Sequence, residues 1–164
     1  MDPVTIRLAS TADLKALCRL YVDFHEFHVR GVPDRLLSLG EPQAYDGSKL
    51  YADLEKIISH DDSALFVAEV AGQVVGFAEV YVRQDEPNPA RVSRTYGHLQ
   101  SLMVDKGFRR RGVGTKLIEA AEQWAREKGA AEMQLQTWEF ATGPLAFYEH
   151  GGYRTLRRTL VREL

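Results

Sequence analysis

The run Arg109-Arg110-Arg111-Gly112-Val113-Gly114 lies between an apolar strand end (Leu99, Leu102, Val104) and an uninterrupted helical stretch, Thr115 to Lys128. Its composition suits an anion. Glycines at 112 and 114 remove Cβ atoms where a ligand must approach backbone N–H groups. Those N–H groups are the unpaired donors of a helix N-terminus, and the helix dipole adds partial positive charge there. The three arginines supply full charge and forked donors at the same spot. A pyrophosphate fits such a place. Two nucleotide motifs do not. Gly107 and Gly112 have Walker spacing, but Val113 and Gly114 stand where the lysine and the magnesium-binding hydroxyl belong. A dinucleotide fingerprint needs a third glycine three residues after Gly114, and Leu117 is there instead.

The pattern Arg-x-x-Gly-x-Gly after a strand ending Leu-Met-Val resembles the acyl-CoA pyrophosphate loop of the GNAT superfamily, the acetyl-CoA-dependent N-acyltransferases. Other segments extend the resemblance over most of the chain. A Ser-Thr-Ala-Asp helix start follows a short N-terminal strand, and the hairpin sequence LFVAEVAGQVVGFAEVYV precedes the motif strand. Phe147-Tyr148-Glu149-His150-Gly151-Gly152-Tyr153 is similar to the family's Phe-Tyr-x-x-x-Gly-Phe/Tyr ending. The resemblance implies acetyl-CoA as acyl donor, with Arg109, Arg110, Arg111, Gly112, Val113, Gly114 and Thr115 around its pyrophosphate. It also implies a bulge in the motif strand, mapped onto Leu102, Met103 and Val104, that presents backbone N–H groups to pantetheine and thioester. Tyr148 matches the family tyrosine that lies near the CoA sulfur as general acid. The chain departs from the family at Ala141, where many members carry an asparagine that contacts the cofactor.

Acyl transfer from a thioester to an amine must polarise the carbonyl, deprotonate the amine, align the two and protonate the thiolate. A phenol with a pKa of about 10 stays protonated at neutral pH, so Tyr148 can donate; packing under the sheet is the other reading. His98 lies on the motif strand, and alternation puts it on one face with Tyr96 and Gln100. In several family members this position carries a Glu or His that relays a proton from the amine. An unperturbed pKa of about 6.5 suits a base at pH 7. A half-buried strand histidine is the alternative, with Glu79 on the neighbouring strand as reserve. The resemblance places the acceptor site at the end of the first helix and beyond, where His25, His28, Asp34 and Glu41 lie. His25 and His28 at i, i+3 lack a third placed ligand, so no metal is expected. Cys18, the one cysteine, falls on an apolar helix face and reads as packing rather than as a nucleophile.

Composition narrows the class. A chain of 164 residues, 45% hydrophobic, suits a single domain over 1–164 with a proper core. A net charge of −2 argues against a nucleic-acid surface as the main role. No apolar run is long enough to span a membrane, and the N-terminus lacks the apolar core of a signal peptide, so a cytoplasmic address is expected.

These residues need a scaffold, and the pattern supplies one. Val4–Leu8 reads as a strand, and Ser10 with Asp13 as a capping box opening a helix to about Val29. Residues 31–47 read as irregular, with Pro33, Gly40 and Pro42, before a helix Ser48–Ile58. Leu65–Val70 and Gln73–Val82 form a hairpin about Ala71-Gly72. The motif strand is Tyr96–Val104. The helix after it buries Val113, Leu117, Ala121 and Trp124 and ends at Gly129. Met133–Trp138 reads as a strand, Pro144 starts a short helix, and Tyr153–Arg162 reads as a final strand. The expected fold is α+β: a mixed, largely antiparallel sheet with helices on both faces. The expected activity is transfer of acetyl from acetyl-CoA to a primary amine, preferably a small one, by direct attack in a ternary complex. A non-catalytic acyl-CoA-binding sensor or docking module is the competing class. Homodimers are common among similar proteins, and nothing in the chain itself demands one.

Overall fold

Apolar residues on both faces of two long strands force cover on both sides of the sheet. The computed structural model describes residues 2–39 and 47–164. Among them, five strands lie in sequence order: β1 (Thr5–Leu8), β2 (Ser63–Val70), β3 (Gln73–Gln84), β4 (Thr95–Val104) and β5 (Glu132–Leu135). Neighbours run antiparallel except β4 and β5, which are parallel. Ala71 (φ 49°) and Gly72 (φ 78°) are both left-handed, as a two-residue hairpin turn between β2 and β3 requires.

Helices α1 (Leu14–Gly31) and α2 (Ser48–Ser59) cover one face. Leu14, Leu17 and Leu20 recur every three residues along α1 and, with Leu54 of α2, bury against Leu65, Val67, Phe77 and Met103. Helix α3 (Val113–Glu127) covers the other face, burying Val113, Leu117, Ile118, Ala121 and Ala125 against Phe66, Ala78, Val80 and Leu99. The short helix α4 (Leu145–His150) adds Tyr148 to that second cluster. None of these helices is long and apolar enough to cross a membrane.

The Ser10–Asp13 box is present, with Ser10 N–H donating to Asp13 Oδ2 at 2.8 Å, but it opens a 3-10 turn (Thr11–Asp13) that runs into α1. Arg7 clamps the same carboxylate (2.8 Å) and Glu69 (2.8 Å), tying β1 to β2 and to the start of α1. That guanidinium holds the Asp13 carboxyl below the usual range.

Three expectations change. Trp124 is only half-buried, packed at the margin of the α3-face cluster with Lys128 Nζ 5.8 Å from its ring centroid, and its neighbour Ala125 is the fully buried residue. A Cβ on Gly97 would lie 2.7 Å from the Ala125 methyl, so strand and helix meet there too closely for an indole. Strand β5 ends at Leu135, short of Trp138. The expected final strand, Tyr153–Arg162, forms no ladder; it runs without regular structure and largely exposed. Strand-like sequence needs a neighbouring edge, and this segment has none.

Candidate active site

The centre of the site is an irregularity in β4. Glu79 of β3 faces Ser101, but Val80 faces Leu99, so Gln100 is an extra residue on β4. On its other side β4 pairs with β5 only from Tyr96 to Leu99. From Gln100 onward that edge of β4 is open. The Asp105 N–H donates to Val75 O at 2.8 Å, which makes 75 and 105 a hydrogen-bonded pair. By antiparallel alternation, Leu102 and Val104 then direct their N–H and C=O groups away from β3 into the gap, whereas Met103 turns its own toward β3. The expected bulge therefore exists, but at Gln100 rather than Leu102–Val104. Leu102 and Val104 contribute the open edge that follows it.

At the end of this edge Gly112 (φ 76°) caps α3, which begins at Val113, two residues before the expected start. The first helical bond runs from Lys116 N–H to Gly112 O (3.0 Å), so the N–H groups of Val113, Gly114 and Thr115 lie ahead of it. The three arginines are not equivalent. Arg109 turns back, its Nε donating to Val104 O (2.8 Å) and its guanidinium 5.5 Å from the Phe27 ring centroid. Arg110 holds an uncommon positive φ of 59°, and Arg111 lies over Phe108. Arg110→Ala and Arg111→Ala are expected to raise KM for acetyl-CoA by roughly 1–2 kcal/mol each, about fivefold to thirtyfold. Arg109→Ala should instead cost about 1 kcal/mol of folding stability, read as a lower denaturant midpoint. A KM effect confined to Arg109 would reverse this assignment.

On the α1 face, Glu79 is only 5% exposed, and both its oxygens accept phenol hydrogens. Tyr21 donates to Oε2 and Tyr81 to Oε1, each at 2.6 Å. Burial first, and then the adjacent carboxylate, push both phenols above their usual range. Tyr21 stacks on Phe77 at 4.1 Å, which holds it over the sheet. Together with Asp53, Gln100 and Ser101, these groups line a cleft of about 760 Å³. His98 pairs across the sheet with Tyr81, half-buried, its Nε2 3.2 Å from Gln100 Oε1. Burial, and then Arg83, lower the pKa of its imidazole. In the neutral tautomer that an amide oxygen favours, Nε2 carries the hydrogen and Nδ1 keeps the lone pair.

Tyr148 belongs to the opposite face. Its ring packs against Phe147 (5.3 Å) and Tyr153 (5.8 Å). Among the described residues no buried side-chain N or O lacks a partner, and the Tyr148 hydroxyl has no hydrogen bond. That hydroxyl must therefore be the part of the side chain that reaches open space. Burial of the rest pushes its pKa up to about 12.

His25 and His28 do not join the Glu79 cleft. His25 Nε2 lies 2.7 Å from Leu37 O, and His28 Nδ1 lies 2.8 Å from Phe24 O. The His28 ring packs against Phe24 and Phe140. Asp34 is exposed and paired with its neighbour Arg35, and Glu41 lies outside the described residues. Sequence reasoning missed Tyr21, Tyr81 and Phe140. Tyr81 was findable, two residues from Glu79 on one strand face. Tyr21 was not, because 58 positions separate it from Glu79. Phe140 packs so closely on Gly31 that a Cβ there would lie 2.5 Å from its ring. Aromatic packing thus holds the loop in which Ala141 replaces the family asparagine.

A family model described as the acetyltransferase (GNAT) family matches residues 15–153. The chain is 34% identical over 125 residues to the aminoglycoside N(6')-acetyltransferase type 1 of Salmonella typhimurium, covering 76% of this chain and 79% of that protein. It is 27% identical over 150 residues to the N-acetyltransferase YhfO of Bacillus subtilis, covering 92% and 89%. Among solved structures, a mutant of the BH1408 protein from Bacillus halodurans superposes with a TM-score of 0.86 at 22% identity, over 98% of this chain and 99% of that one. The aminoglycoside N-acetyltransferase AAC(6')-Iy in complex with CoA gives 0.72 at 26% identity, over 99% and 96%.

Proposed function

The chain belongs to the acetyltransferase (GNAT) family and is an acetyl-CoA-dependent N-acyltransferase, and from that premise we propose that it acetylates a primary amine of a small molecule by direct attack in a ternary complex. One observation carries the reading. Tyr148 packs on the α3 face, His98 pairs with Tyr81 on the α1 face, and between them β4 opens an unpaired edge two residues beyond His98, from Gln100 onward. Acetyl-CoA runs along that edge, its pyrophosphate on the Gly112–Thr115 N–H groups and its thioester beside Leu102 and Val104. The amine enters from the Glu79 cleft and forms the N–C bond as His98 Nδ1 takes its proton. The C–S bond then breaks, and the departing thiolate takes the proton of Tyr148. With both oxygens occupied by phenols, Glu79 suits an anion that holds a cationic acceptor better than it suits a base. Cys18 is no rival nucleophile, since burial raises its pKa and it packs beside the α1 core cluster.

The small-molecule acceptor class is supported by the relatives named as aminoglycoside N(6')-acetyltransferases together with the carboxylates of the cleft. Thiol release should be measured over a panel of aminoglycosides, polyamines, amino acids and N-terminal peptides. Turnover confined to peptides would overturn the small-molecule assignment. Acetyl-CoA binding without turnover on any amine would leave the docking-module reading.

His98→Ala tests the base. A primary alkylamine, with a pKa of about 10.4, arrives protonated at pH 7, so the attack needs a proton acceptor. The substitution is expected to lower kcat/KM for the amine about 10- to 100-fold, and less as pH rises and free amine accumulates. Because the imidazole pKa is lowered, the acid limb of the wild-type profile should fall below about 6.5. A His98→Ala profile that parallels wild type with no loss of rate would pass the role to bulk water or Glu79.

A further inference from the structure

Beyond Leu99 and Leu135 the two parallel strands part, which opens β4 from Gln100 to Val104. On the α1 face this opening is bridged. From the β4 side, Val104 O accepts from Arg109 Nε (2.8 Å), and the same guanidinium lies 5.5 Å from the Phe27 ring centroid. Phe27 lies 5.6 Å from Phe140, in the chain that follows β5. A second row starts on β3, where Phe77 meets Phe24 (6.4 Å), and runs through His28 (4.5 Å) to Phe140 (6.2 Å). Both rows begin on strands at one bank of the opening and end on one ring at the other. That ring has a prepared seat. A Cβ on Gly31, the last residue of α1, would lie 2.5 Å from it, and one on Gly143 3.2 Å. Gly143 N–H donates to Phe140 O (2.9 Å), closing the turn that carries the ring. Phe27 and Phe140 belong to neither core cluster, so the bridge is no part of the sheet's own burial.

With the thioester beside Leu102 and Val104, the position on which this rests, we propose that the Phe140 ring seals it against water on the α1 face, so that an amine rather than water takes the acetyl group. The two nucleophiles compete for one carbon. Water attack forms a C–O bond to the acetyl carbon and breaks the C–S bond. One water proton passes to the thiolate and the other to solvent, releasing acetate and CoA. His98 and Tyr148 do not discriminate against that route, since a base and an acid placed for aminolysis serve hydrolysis equally. Discrimination must therefore come from access. A bridge of aromatic rings offers water few hydrogen-bond partners, and the one imidazole in it is engaged, with Nδ1 2.8 Å from Phe24 O. The amine has a separate way in, because neither Phe27 nor Phe140 lines the Glu79 cleft.

The test is release of CoA thiol from acetyl-CoA in the absence of amine, with calorimetric binding of acetyl-CoA and circular dichroism as controls. Phe140→Ala is expected to raise this amine-independent rate about tenfold or more over wild type, while acetyl-CoA affinity stays within about threefold. With amine present, part of the CoA released by the variant should be unmatched by amide. Gly31→Ala leaves the ring chemically intact but pushes it from its seat, and alanine suits a helix better than glycine. It should leak in the same way, and it decides the matter if Phe140→Ala does not fold. Phe140→Leu keeps apolar cover and should leak less than Phe140→Ala. Folded variants that bind acetyl-CoA and hydrolyse it no faster than wild type would overturn the seal. So would loss of acetyl-CoA binding, which would make Phe140 a cofactor contact, or a raised KM for the amine without a leak, which would make it an acceptor contact. Because the readout needs no amine, a wild-type protein inert toward every amine would end the transfer reading and leave this test in force.

Discussion

Tyr148→Phe is expected to lower kcat on the order of 100-fold while KM for acetyl-CoA stays within about twofold. The substitution keeps the ring, which packs on Phe147 and Tyr153, and removes only the hydroxyl. That hydroxyl bonds to nothing among the described residues, so its loss leaves no orphaned partner. The fold should therefore survive unchanged at neutral pH. Burial pushes the phenol up to about 12, above the roughly 10 of an unfolded chain. Ionisation of Tyr148 in the resting enzyme thus cannot cause a fall in rate at pH 9 or 10. Linkage has a definite sign here. The folded state keeps its proton longer, so stability contributed by the neutral phenol is complete below about pH 10 and is lost as pH rises through 12. The Phe variant should lose less stability between those values. Steady-state kinetics with saturating amine checks the main effect, and a variant with wild-type kcat would make Tyr148 a packing residue.

Gly112→Asp should abolish measurable acetyl-CoA binding, a loss of at least 100-fold in affinity. A Cβ there meets nothing within 4 Å, so there is room for the side chain. Its positive φ of 76° costs about 1–2 kcal/mol for a non-glycine residue. An aspartate at a helix cap partly offsets that strain by accepting from the first N–H groups. Those same donors are the ones the pyrophosphate needs. The carboxylate therefore occupies the site and repels the ligand while the helix remains intact. Gly114→Asp is a poorer test, because its Cβ would lie 3.2 Å from the Phe147 ring and disturb α4 as well. Calorimetric titration with acetyl-CoA, with circular dichroism as the folding control, decides the matter. A folded Gly112→Asp protein with unchanged affinity would remove the loop from the cofactor site.

Sequence by itself determined the local elements and their order. The helical spacing of Val113, Leu117 and Ala121 marks α3, the Ala71-Gly72 turn joins β2 to β3, and the Gly112-x-Gly114 run caps the start of α3 with its first N–H groups unpaired. Each depends on neighbours a few residues apart, so the cause lies within the segment itself. Tertiary structure decided what depends on pairing across the chain. The extra residue at Gln100 exists only relative to β3, and it brings Ser101 opposite Glu79. Tyr21 reaches Glu79 only because α1 lies across the sheet. Arg109 leaves the anion loop because Phe27 and Val104 O offer it a nearer partner. The 153–162 segment has the composition of a strand, but a strand is a relation between two backbones. Composition states a preference, and only the folded chain shows whether an edge is there to meet it.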